Sequence, residues 1–593
     1  MFTAVAVAVV FMCSCGSDDN PLSSIGTISS GVTGNTSSGS NSIDVPDISF
    51  DTSALSESEE IPDDDNDYVE NSTFSTTITI TYNGSSASVS GSASGVTITT
   101  DGAHVTVNQT VSKVAYVLTG SSSDGCFKIY SSNKLALTLN GLTLTNPEGA
   151  AINCQSSKSL YLIIADGTSN TLEDGTSYST PSDEDEKGTI FSEGQIITSG
   201  SGTLDITANY KNGIVSDDYL IFRPGPVINI TSTGSNGVKA NDGVTIRGGV
   251  LNIGTSADSG KGVNSEADVE ISGGRTTIIT SGGTTIEDSD TKSASGVKSD
   301  VSFYMTGGEL NIKSTGKGGK GVSADSIIAI SGGTINIVTT GTQFVQGSYD
   351  SSPKGIKADN NLTISGGDIT VTCSGGEGSE GIESKKNIVI SGGSIVGNTY
   401  DDVINASTKI TISGGQVYAR STGNDAIDSN GTLYISGGTV IGFSTTGIEG
   451  PFDCDNGTFG ITGGNIIGMG GASSNPTTSA TSQPVIILGS TSYSNGTYIA
   501  LTDSNGSLIY AFTVPMTYSS SILLLSSPSM STGNSYTIKS GVSLSGGTYW
   551  QGFTTDATVS GGSTLQTVKI SSTITNYSSG TMGNSNNIGG RRW

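Results

Sequence analysis

Ile271-Ser272-Gly273-Gly274 is the stretch that decides the fold, because it returns at nearly regular intervals through the middle of the chain. The same four residues begin at five further positions, Ile330, Ile364, Ile390, Ile412 and Ile435. Looser copies begin at Ile246, Met305 and Ile461. Consecutive copies lie 22 to 34 residues apart. A repeat of this length is typical of a solenoid, in which each unit packs only on its neighbours.

The unit 354–371 indicates how one repeat is built. Leu362 and Ile364 alternate with polar residues before the glycine pair, and Ile369 and Val371 alternate with polar residues after it. A period of two is the signature of β-strands. The glycine pair marks a bend, where the backbone needs a positive φ or a tight corner. About 23 residues at roughly 3.3 Å each make one circuit of a coil, so the sequence predicts an all-β, single-stranded parallel β-helix.

Composition supports a solenoid rather than a globular enzyme. The 593 residues include 84 glycines and only 6% aromatic residues, whereas a globular domain of this size is usually richer in large apolar side chains. Stacked coils can bury enough surface with small residues. The formal net charge of −27 argues against nucleic acid as a partner.

Histidine and cysteine chemistry is narrowly bounded. His104 is the only histidine, which removes Ser-His-Asp triads and histidine metal clusters. No Cys-x-x-Cys motif occurs, so a zinc or redox motif is unsupported. Cys126 and Cys154 fall about one coil apart, and they either pair or remain buried thiols.

The chain begins in the manner of an exported lipoprotein. Residues 1–12 are apolar but too few to span a bilayer. Met12-Cys13-Ser14-Cys15 then resembles a lipoprotein processing box, with Cys15 as the lipidated residue. The alternative is a secretory peptide with incidental cysteines. We expect an extracytoplasmic monomer, lipid-anchored in the outer membrane or at the cell surface.

The two ends of the chain differ in composition from the repeats. Residues 16–72 contain no Lys or Arg and show no strand pattern, which favours disorder. Beyond the repeats the period vanishes, and short strand patterns separated by turn signals suggest a sandwich. The predicted division is a signal peptide over 1–15, a disordered acidic tether over 16–75, the β-helix over 76–472, a linker over 473–483, a small β-sandwich over 484–570 and a disordered tail over 571–593.

An acidic element recurs just before the glycine pair in successive coils near the end of the repeats. Glu380-Gly381-Ile382-Glu383-Ser384 aligns with segments that begin at Asp402, Asp425 and Thr446. Equivalent positions of stacked coils lie above one another, roughly 5 Å apart. One predicted ladder is Glu383, Asn405, Asp428 and Glu449. A second is Glu380, Asp402 and Asp425, with Asp401 beside it.

These ladders predict a calcium site. Stacked carboxylates repel one another unless they are protonated or bridged by a cation, and calcium accepts many oxygen ligands with flexible geometry. The alternative is a solvated acidic edge whose Asp and Asn residues make turns. An insertion at 451–455 adds Asp453 and Asp455 beside Glu449. The predicted metal ligands are Glu380, Glu383, Asp401, Asp402, Asn405, Asp425, Asp428 and Glu449.

Upstream coils carry lysines at the same positions. Lys239, Lys298 and Lys357 take the place of Glu383, and Lys261, Lys320 and Lys354 take the place of Glu380. This face is either a solubilising row of lysines or a cationic strip that meets an acidic polysaccharide or supplies a lyase base.

The two longest intervals carry insertions near 281–295 and 340–353, and the second contains Phe344 and Tyr349. Because they are two coils apart, we expect them to emerge about 10 Å from each other on one side. The aromatic residues form either a sugar-stacking platform or a lid over a hydrophobic gap. The predicted ligand-binding residues are Phe344, Tyr349, Lys298, Lys320 and Lys357.

The acidic segments, threaded through Ser-Gly-Gly corners, resemble a known family, the secreted carbohydrate-binding domain-containing β-helix proteins related to polysaccharide lyases. The likeness covers about 76–570. The family's Asp-Asp-Gly-Ile-Asn is Asp401-Asp402-Val403-Ile404-Asn405 here, and its Gly-Asp-Asp-Ala-Ile is Gly423-Asn424-Asp425-Ala426-Ile427. The resemblance implies a right-handed parallel β-helix, bound calcium and binding to polysaccharides such as cellulose or pectin, without established catalysis.

Three functions follow from these patterns and from the resemblance. The first is a surface-anchored, calcium-dependent, non-catalytic polysaccharide-binding lipoprotein. The second is a calcium-dependent lyase that cleaves uronate-containing glycans by β-elimination with a lysine as base. The third is a structural adhesin in which the rod serves as a spacer.

Overall fold

A computed structural model describes residues 42–181, 184–455 and 457–577. In these ranges the chain is all-β, apart from two single-turn 3-10 helices, Val69–Asn71 and Thr478–Ala480. No helix among the described residues has the length and apolar character needed to cross a membrane. The predicted signal peptide with Cys15 lies outside the described residues, as does the chain from 578 onward.

The repeat region forms a parallel β-solenoid with three strands in each of its middle coils, and the strands of each kind stack into a ladder. The first ladder is a fourteen-stranded sheet of Val96–Asp101, Ala103–Gln109, Gly125–Ser131, Ile152–Gln155, Gly188–Ser192, Asn212–Ser216, Val238–Ala240, Lys261–Ser265, Ser295–Ser299, Lys320–Ala324, Lys354–Ala358, Glu380–Ser384, Ile404–Ala406 and Ile427–Ser429. Its first two strands pair antiparallel and the others parallel.

The second and third ladders belong to one larger sheet. The second consists of Leu160–Ile164, Ile196–Gly200, Leu220–Phe222, Val244–Ile246, Val269–Ile271, Phe303–Met305, Ile328–Ile330, Leu362–Ile364, Asn387–Ile390 and Lys409–Ile412. The third consists of Ser169–Asp174, Thr203–Ala208, Val227–Ser232, Val250–Thr255, Arg275–Thr280, Glu309–Ser314, Thr334–Thr339, Asp368–Cys373, Ser394–Thr399 and Gln416–Ser421. At the two ends, long strands run through both ladders: Thr76–Asn83, Val114–Ser122, Leu135–Asn146, Thr432–Phe443 and Phe459–Gly470.

Ile-Ser-Gly-Gly is the corner between the second and third ladders. Gly367 has a φ of +88°, which an L side chain rarely adopts. A Cβ on Gly366 would lie 2.2 Å from the carbonyl oxygen of Ser331 in the coil before. Direct stacking therefore requires both glycines, and the prediction of a parallel β-helix is confirmed, whereas its right hand stays a prediction.

Aliphatic side chains from all three ladders fill the interior. Ile382 of the first ladder, Ile388 and Ile390 of the second, and Ile395 of the third are each at most 1% exposed. The alternating outward position on the second ladder is open, since Val389 is 38% exposed. Strand alternation thus separates core from surface within a single three- or four-residue strand.

The predicted separate β-sandwich is not confirmed. Val485–Tyr493, Tyr518–Ser526 and Ile574–Asn576 join the large solenoid sheet. Tyr518–Ser526 pairs antiparallel with Phe459–Gly470 and so ends the parallel stack. The remaining strands form one six-stranded antiparallel sheet: Tyr498–Thr502, Leu508–Thr513, Ser535–Ser545, Thr548–Trp550, Phe553–Thr555 and Thr558–Lys569. The open edge of a solenoid has unpaired backbone groups that must be covered. The C-terminal strands cover this edge by pairing with the last coil.

The six-stranded sheet shares a core with the outer face of the last coils. Ile441 and Phe443 point outward from Thr432–Phe443 and pack with Phe512 and Leu501 of that sheet. At the other end, Ala87–Ser90 pairs antiparallel with the first strand, Thr76–Asn83. Both ends of the rod are therefore closed by antiparallel strands.

Residues 42–75, which belong to the predicted disordered tether, lie along the solenoid; we call them the acidic strap. Asp47 pairs with Lys313 at 2.7 Å, and Asp51 pairs with Arg275 at 3.1 Å. The cationic partners belong to the third ladder. This part of the chain is therefore not a free tether, because it lies on a row of cations that the sequence places more than 200 residues downstream.

A buried arginine, Arg223, also holds the strap. The Arg223 side chain is 5% exposed and pairs with both Glu59 and Glu70, while the Tyr68 ring lies 4.4 Å from its guanidinium carbon. One coil later, Arg247 pairs with Asp67 at 3.0 Å. A buried arginine with two carboxylates is satisfied only while the strap stays in place.

Acid should release the strap. The Lys313 hydrogen bond and charge hold the pKa of Asp47 below its ordinary value, and for Glu70 the Arg223 pairing outweighs burial, so its pKa is lowered as well. Stabilisation from a depressed carboxyl pKa is complete above the unfolded value and is lost as the pH falls through the folded value. We expect amide hydrogen exchange in 42–75, corrected for intrinsic rates, to accelerate between neutral pH and about pH 3.

Lys313→Met should loosen the segment around Asp47 already at neutral pH, because it removes the cationic partner. Lys317→Met, which changes an exposed lysine four residues away, is the matched control. Equal protection of 42–75 in both variants and at both pH values would contradict the ion-pair account of the strap.

One substitution pair tests the assignment of core and surface. Ile388→Ala should lower the free energy of unfolding by about 2–5 kcal/mol, because it opens a cavity between coils. Val389→Ala, one residue along the same strand, should change it by about 0.5 kcal/mol or less. Urea denaturation followed by circular dichroism measures both, and similar losses for the two variants would show that the register is misassigned.

Candidate metal centre

Two rows of polar side chains follow the first ladder. The outer row joins positions paired from coil to coil: Lys239, Asn264, Lys298, Ser323, Lys357, Glu383, Asn405 and Asp428. The edge row lies three residues earlier in each coil: Lys261, Ser295, Lys320, Lys354 and Glu380. Asp402 and Asp425 continue the edge row, since the Asp425 backbone N–H donates to Asp402 Oδ1 at 3.1 Å. The predicted change from lysine to carboxylate along both rows is thus in register.

The last rung of the outer row is Asp453, where Glu449 was predicted. Asp428 forms a parallel bridge with Asp453. A ladder that runs through Glu449 requires Ile448 to point inward, but Ile448 is 68% exposed, whereas Phe452 is fully buried. The insertion shifts the register, so Phe452 and Asp453 repeat the apolar–acidic order of Ile427 and Asp428. The sequence did carry a signal for this register, because Asp453 lies between two apolar residues, Phe452 and Cys454. Both of these neighbours are buried.

Asp425, Asp428 and Asp453 form the candidate metal centre. Each offers a carboxylate oxygen, and these oxygens lie within 4.8 Å of one another. Burial raises the pKa of Asp425 and Asp428 well above the ordinary range, and mutual repulsion adds to the rise. For Asp428 the neighbouring Asp453 and Asp455 contribute most of that repulsion. Such a group requires protons or a cation, and an all-oxygen donor set fits a hard cation such as calcium.

Asp401, Asp402 and Asn405 form a hydrogen-bonded layer beside the centre. Asn405 Nδ2 donates to Asp402 Oδ2 at 3.0 Å. Asp401 accepts from the Gly378 backbone N–H at 2.6 Å and from Asn424 Nδ2 at 2.5 Å. Asp401 therefore ties neighbouring loops together, while Asp402 positions the backbone of Asp425.

Glu380 and Glu383 already have a cationic partner. Lys354 Nζ lies 2.7 Å from Glu380 Oε1 and 3.5 Å from Glu383 Oε2, and all three side chains are under 10% exposed. Lys385 also reaches Glu383, at 3.3 Å. Burial raises the pKa of Glu380 against the opposing charge of Lys354, whereas Lys354, Lys385 and Lys357 together outweigh burial at Glu383 and lower its pKa. Two of the predicted metal ligands are therefore ion-paired with lysines, and their role as ligands stays a prediction.

The two predicted insertions are β-hairpins, Thr284–Glu287 with Asp290–Ser293 and Phe344–Gln346 with Tyr349–Ser351. They contact each other, since Ser293 Oγ lies 2.8 Å from Ser351 Oγ. Lys320 Nζ donates to both hydroxyls at 2.9 Å. Phe344 and Tyr349 are half-buried on the second hairpin. The expectation that the insertions emerge side by side is therefore confirmed.

Most of the predicted ligand-binding lysines are neutralised. Lys298 pairs with Asp300 at 2.9 Å and Asp325 at 2.6 Å, and Lys357 pairs with Asp359 at 2.7 Å. A solubilising, ion-paired face describes them better than a bare cationic strip. Lys320 differs: burial, with repulsion from Lys357 and Lys354, lowers its pKa to about 7.

The cysteines in the described ranges are free thiols: Cys126, Cys154, Cys373 and Cys454. Cys154 stands in register with Ile129, whereas Cys126 stands in register with His104. The two cysteines therefore do not stack, and the thiol alternative describes them.

Comparison with known proteins identifies the family. A family model described as carbohydrate-binding domain-containing protein matches residues 92–260, 257–341, 317–395 and 350–426, more than half of the chain. A curated protein of the same description from Acetivibrio thermocellus is 32% identical over 103 residues, which are 17% of this chain and 36% of the relative. The chain thus matches about a third of the relative's length.

Among solved structures, the polysaccharide lyase-like protein from C. thermocellum, a gadolinium derivative, matches with 17% identity and a TM-score of 0.20. That match covers 61% of this chain and 97% of the other. The assignment rests on the family model: the chain belongs to the carbohydrate-binding domain-containing family.

Proposed function

We propose that this protein is a calcium-dependent, non-catalytic polysaccharide-binding lipoprotein, anchored at the cell surface through Cys15. The observation that carries the proposal is the group of Asp425, Asp428 and Asp453, whose carboxylate oxygens converge within 4.8 Å in a chain of a carbohydrate-binding family. The ligand is a complex glycan of the cellulose or pectin type, and the protein acts as a monomer. The adhesin function is the weaker candidate, because a spacer has no need of a carboxylate centre.

Calcium is the cation that this donor set favours. The three aspartates supply oxygen only, and calcium tolerates the irregular geometry that a solenoid edge provides. A bound calcium ion would offset the repulsion among the carboxylates and present remaining coordination positions to sugar oxygens. Asp402 and Asn405 hold the coil beneath the centre through their hydrogen bond.

The paired hairpins lie on the same side of the rod as the metal centre. Lys320 and Asp425 occupy the edge row four coils apart, which corresponds to roughly 19 Å at the strand spacing. Phe344 and Tyr349 would stack on sugar rings at one end of this distance, and the aspartates would contact the chain at the other. A glycan of several sugars spans such a distance.

A lyase is the second candidate, and Lys320 is the observation that favours it. Its pKa of about 7 would let the neutral amine take the proton α to a uronate carboxylate. The double bond of the product would then form as the glycosidic oxygen leaves. Against this function, both hairpins hold the amine through Ser293 and Ser351.

Calcium binding tests the metal centre. Equilibrium dialysis with metal analysis should find bound calcium in the wild type, and Asp428→Asn or Asp453→Asn should weaken it about tenfold or more, because each removes a charged ligand. Glu270→Gln, on the exposed face of the second ladder, should bind as the wild type does. Unchanged affinity in both aspartate variants would reject the site.

Glycan retention tests the function. The wild type should be retained on cellulose with calcium and released by a chelator, and Asp453→Asn should pass through the cellulose column. On polygalacturonate, calcium should strengthen retention of the wild type, and Asp453→Asn should remove that increase. In parallel, ultraviolet absorbance of unsaturated ends should stay flat with polygalacturonate. Rising absorbance that Lys320→Met abolishes would establish the lyase instead, and retention on neither glycan, with or without calcium, would overturn both functions.

A further inference from the structure

One carboxylate of the acidic strap is held by the glycine corners themselves. Glu57 Oε2 accepts a hydrogen bond from the Gly249 backbone N–H at 2.7 Å, and Glu57 Oε1 accepts one from the Gly274 N–H at 2.9 Å. These glycines are the second members of the pair in successive coils, with φ of +78° and +74°. A single carboxylate thus bridges two stacked coils.

The corner geometry explains this contact. A residue with positive φ turns its backbone N–H out of the strand ladder, and outward N–H groups in such turns form anion-binding concavities. Because the coils stack in register, the same N–H recurs at the strand spacing of about 4.8 Å. Hydrogen bonds from backbone N–H groups to a carboxylate are charge-assisted and strong.

The same N–H groups continue along the rod beyond Glu57; we call them the corner-amide ladder. Its open rungs are the backbone N–H groups of Gly308, Gly333, Gly367, Gly393 and Gly415, whose φ values lie between +75° and +88°. Gly249 and Gly274 are buried beneath the strap, whereas the open rungs are half-buried. In the described part of the chain no hydrogen bond acceptor meets these five N–H groups.

Hydroxyl side chains flank each open rung. The exposed residue two positions before the rung glycine is Thr306, Ser331, Ser365, Ser391 or Ser413. A ligand at the corner would therefore meet one N–H donor and one hydroxyl per coil. Carboxylates adjoin two of the rungs, since Glu309 directly follows Gly308 and Asp368 directly follows Gly367. Gly333, Gly393 and Gly415 are followed by uncharged residues, so an incoming anion meets least repulsion at these three rungs.

We propose that the open rungs bind the carboxylates of an acidic glycan lying along the solenoid, in the way that Glu57 occupies the first two rungs. The class of ligand rests on the proposed glycan-binding function, but the site is distinct from the aspartate centre and requires no metal. The strap then acts as an internal stand-in for the glycan, and Glu57 sets where the open ladder begins.

The spacing favours a uronate chain over an acidic peptide. In an extended peptide, side chains on one face recur every two residues, at about 6.7 Å, which does not match rungs spaced at about 4.8 Å. Successive sugars of an extended glycan chain advance by a length close to the spacing between stacked coils. Carboxylates on every second or third sugar therefore still meet a rung.

The first experiment measures binding of the full chain to polygalacturonate in the presence of a chelator, so that the aspartate centre contributes nothing. Ser331→Glu/Ser365→Glu places two carboxylates beside adjacent rungs and should weaken binding about tenfold or more, since contacts to a charged group are lost. Ser331→Gln/Ser365→Gln has the same bulk without charge and keeps a hydrogen-bond donor at each position, so it should lose much less binding than the glutamate variant. Ser519→Glu/Ser543→Glu adds the same charge at exposed positions of the C-terminal region and should also leave binding unchanged.

Hydrogen exchange gives a readout that does not depend on these variants. Added polygalacturonate should slow amide exchange in peptides covering the corners at Gly308, Gly333 and Gly367, and a neutral glucan should not. Glu57→Gln should extend the protected region to Gly249 and Gly274 in the presence of polymer.

The outcomes separate the two proposals. Binding that requires calcium, with no corner protection under chelator, overturns the ladder and leaves the metal centre standing. The carboxylate site is overturned if, under chelator, a neutral glucan binds as tightly as polygalacturonate. It is also overturned if Ser331→Glu/Ser365→Glu binds polygalacturonate as tightly as the wild type. Absence of binding to any glycan, with or without calcium, overturns both.

Discussion

Direct stacking of coils in one register is the constraint on which the rest of this structure depends. Parallel pairing places each residue above its equivalent one strand spacing away. A residue type that recurs once in every repeat therefore forms a continuous row along the rod. The glycine pair permits this stacking, because a Cβ on Gly332 would lie 2.3 Å from the carbonyl oxygen of Thr306. The interior line is aliphatic, the outer row is charged, and the corner is a line of backbone amides.

A line of like charges is unstable unless something offsets it, and the chain offsets it with side chains in two ways. Along the lysine half of the outer row, each of Lys298 and Lys357 has a nearby aspartate. At the boundary, Lys354 neutralises Glu380. The acidic half ends in aspartates that have no lysine partner among the described residues. Burial and mutual repulsion without a counter-charge raise the pKa values of Asp425 and Asp428. The candidate metal centre therefore lies where the row lacks an internal counter-charge.

Local repeats made much of the fold predictable, while contacts distant in sequence did not leave a local signal. The alternation around Ile364 and the glycine corners sufficed for the solenoid, and register alone aligned Glu383, Asn405 and Asp428. The predicted register was wrong where an insertion interrupted the repeat. Glu449 was predicted to stack on Asp428, whereas Asp453 forms the bridge with Asp428. The strap was read as a tether because its acidic composition resembles disorder, and nothing near Glu59 in the sequence indicates Arg223. The predicted separate sandwich is not confirmed, because edge pairing with the last coil does not show in strand patterns.

The strap and the corner amides are two consequences of the same geometry. A rod presents unpaired backbone donors wherever its chain turns in the same way in every coil, and unpaired donors favour anions. The strap supplies carboxylates, but Glu57 covers only two rungs. Five of the strap's other acidic groups, Asp47, Asp51, Glu59, Asp67 and Glu70, pair with Lys313, Arg275, Arg223 and Arg247. A polymer with carboxylates at regular intervals could satisfy the remaining rungs without any of those cations. The repeat that builds the rod would then also determine the kind of chain that the rod binds.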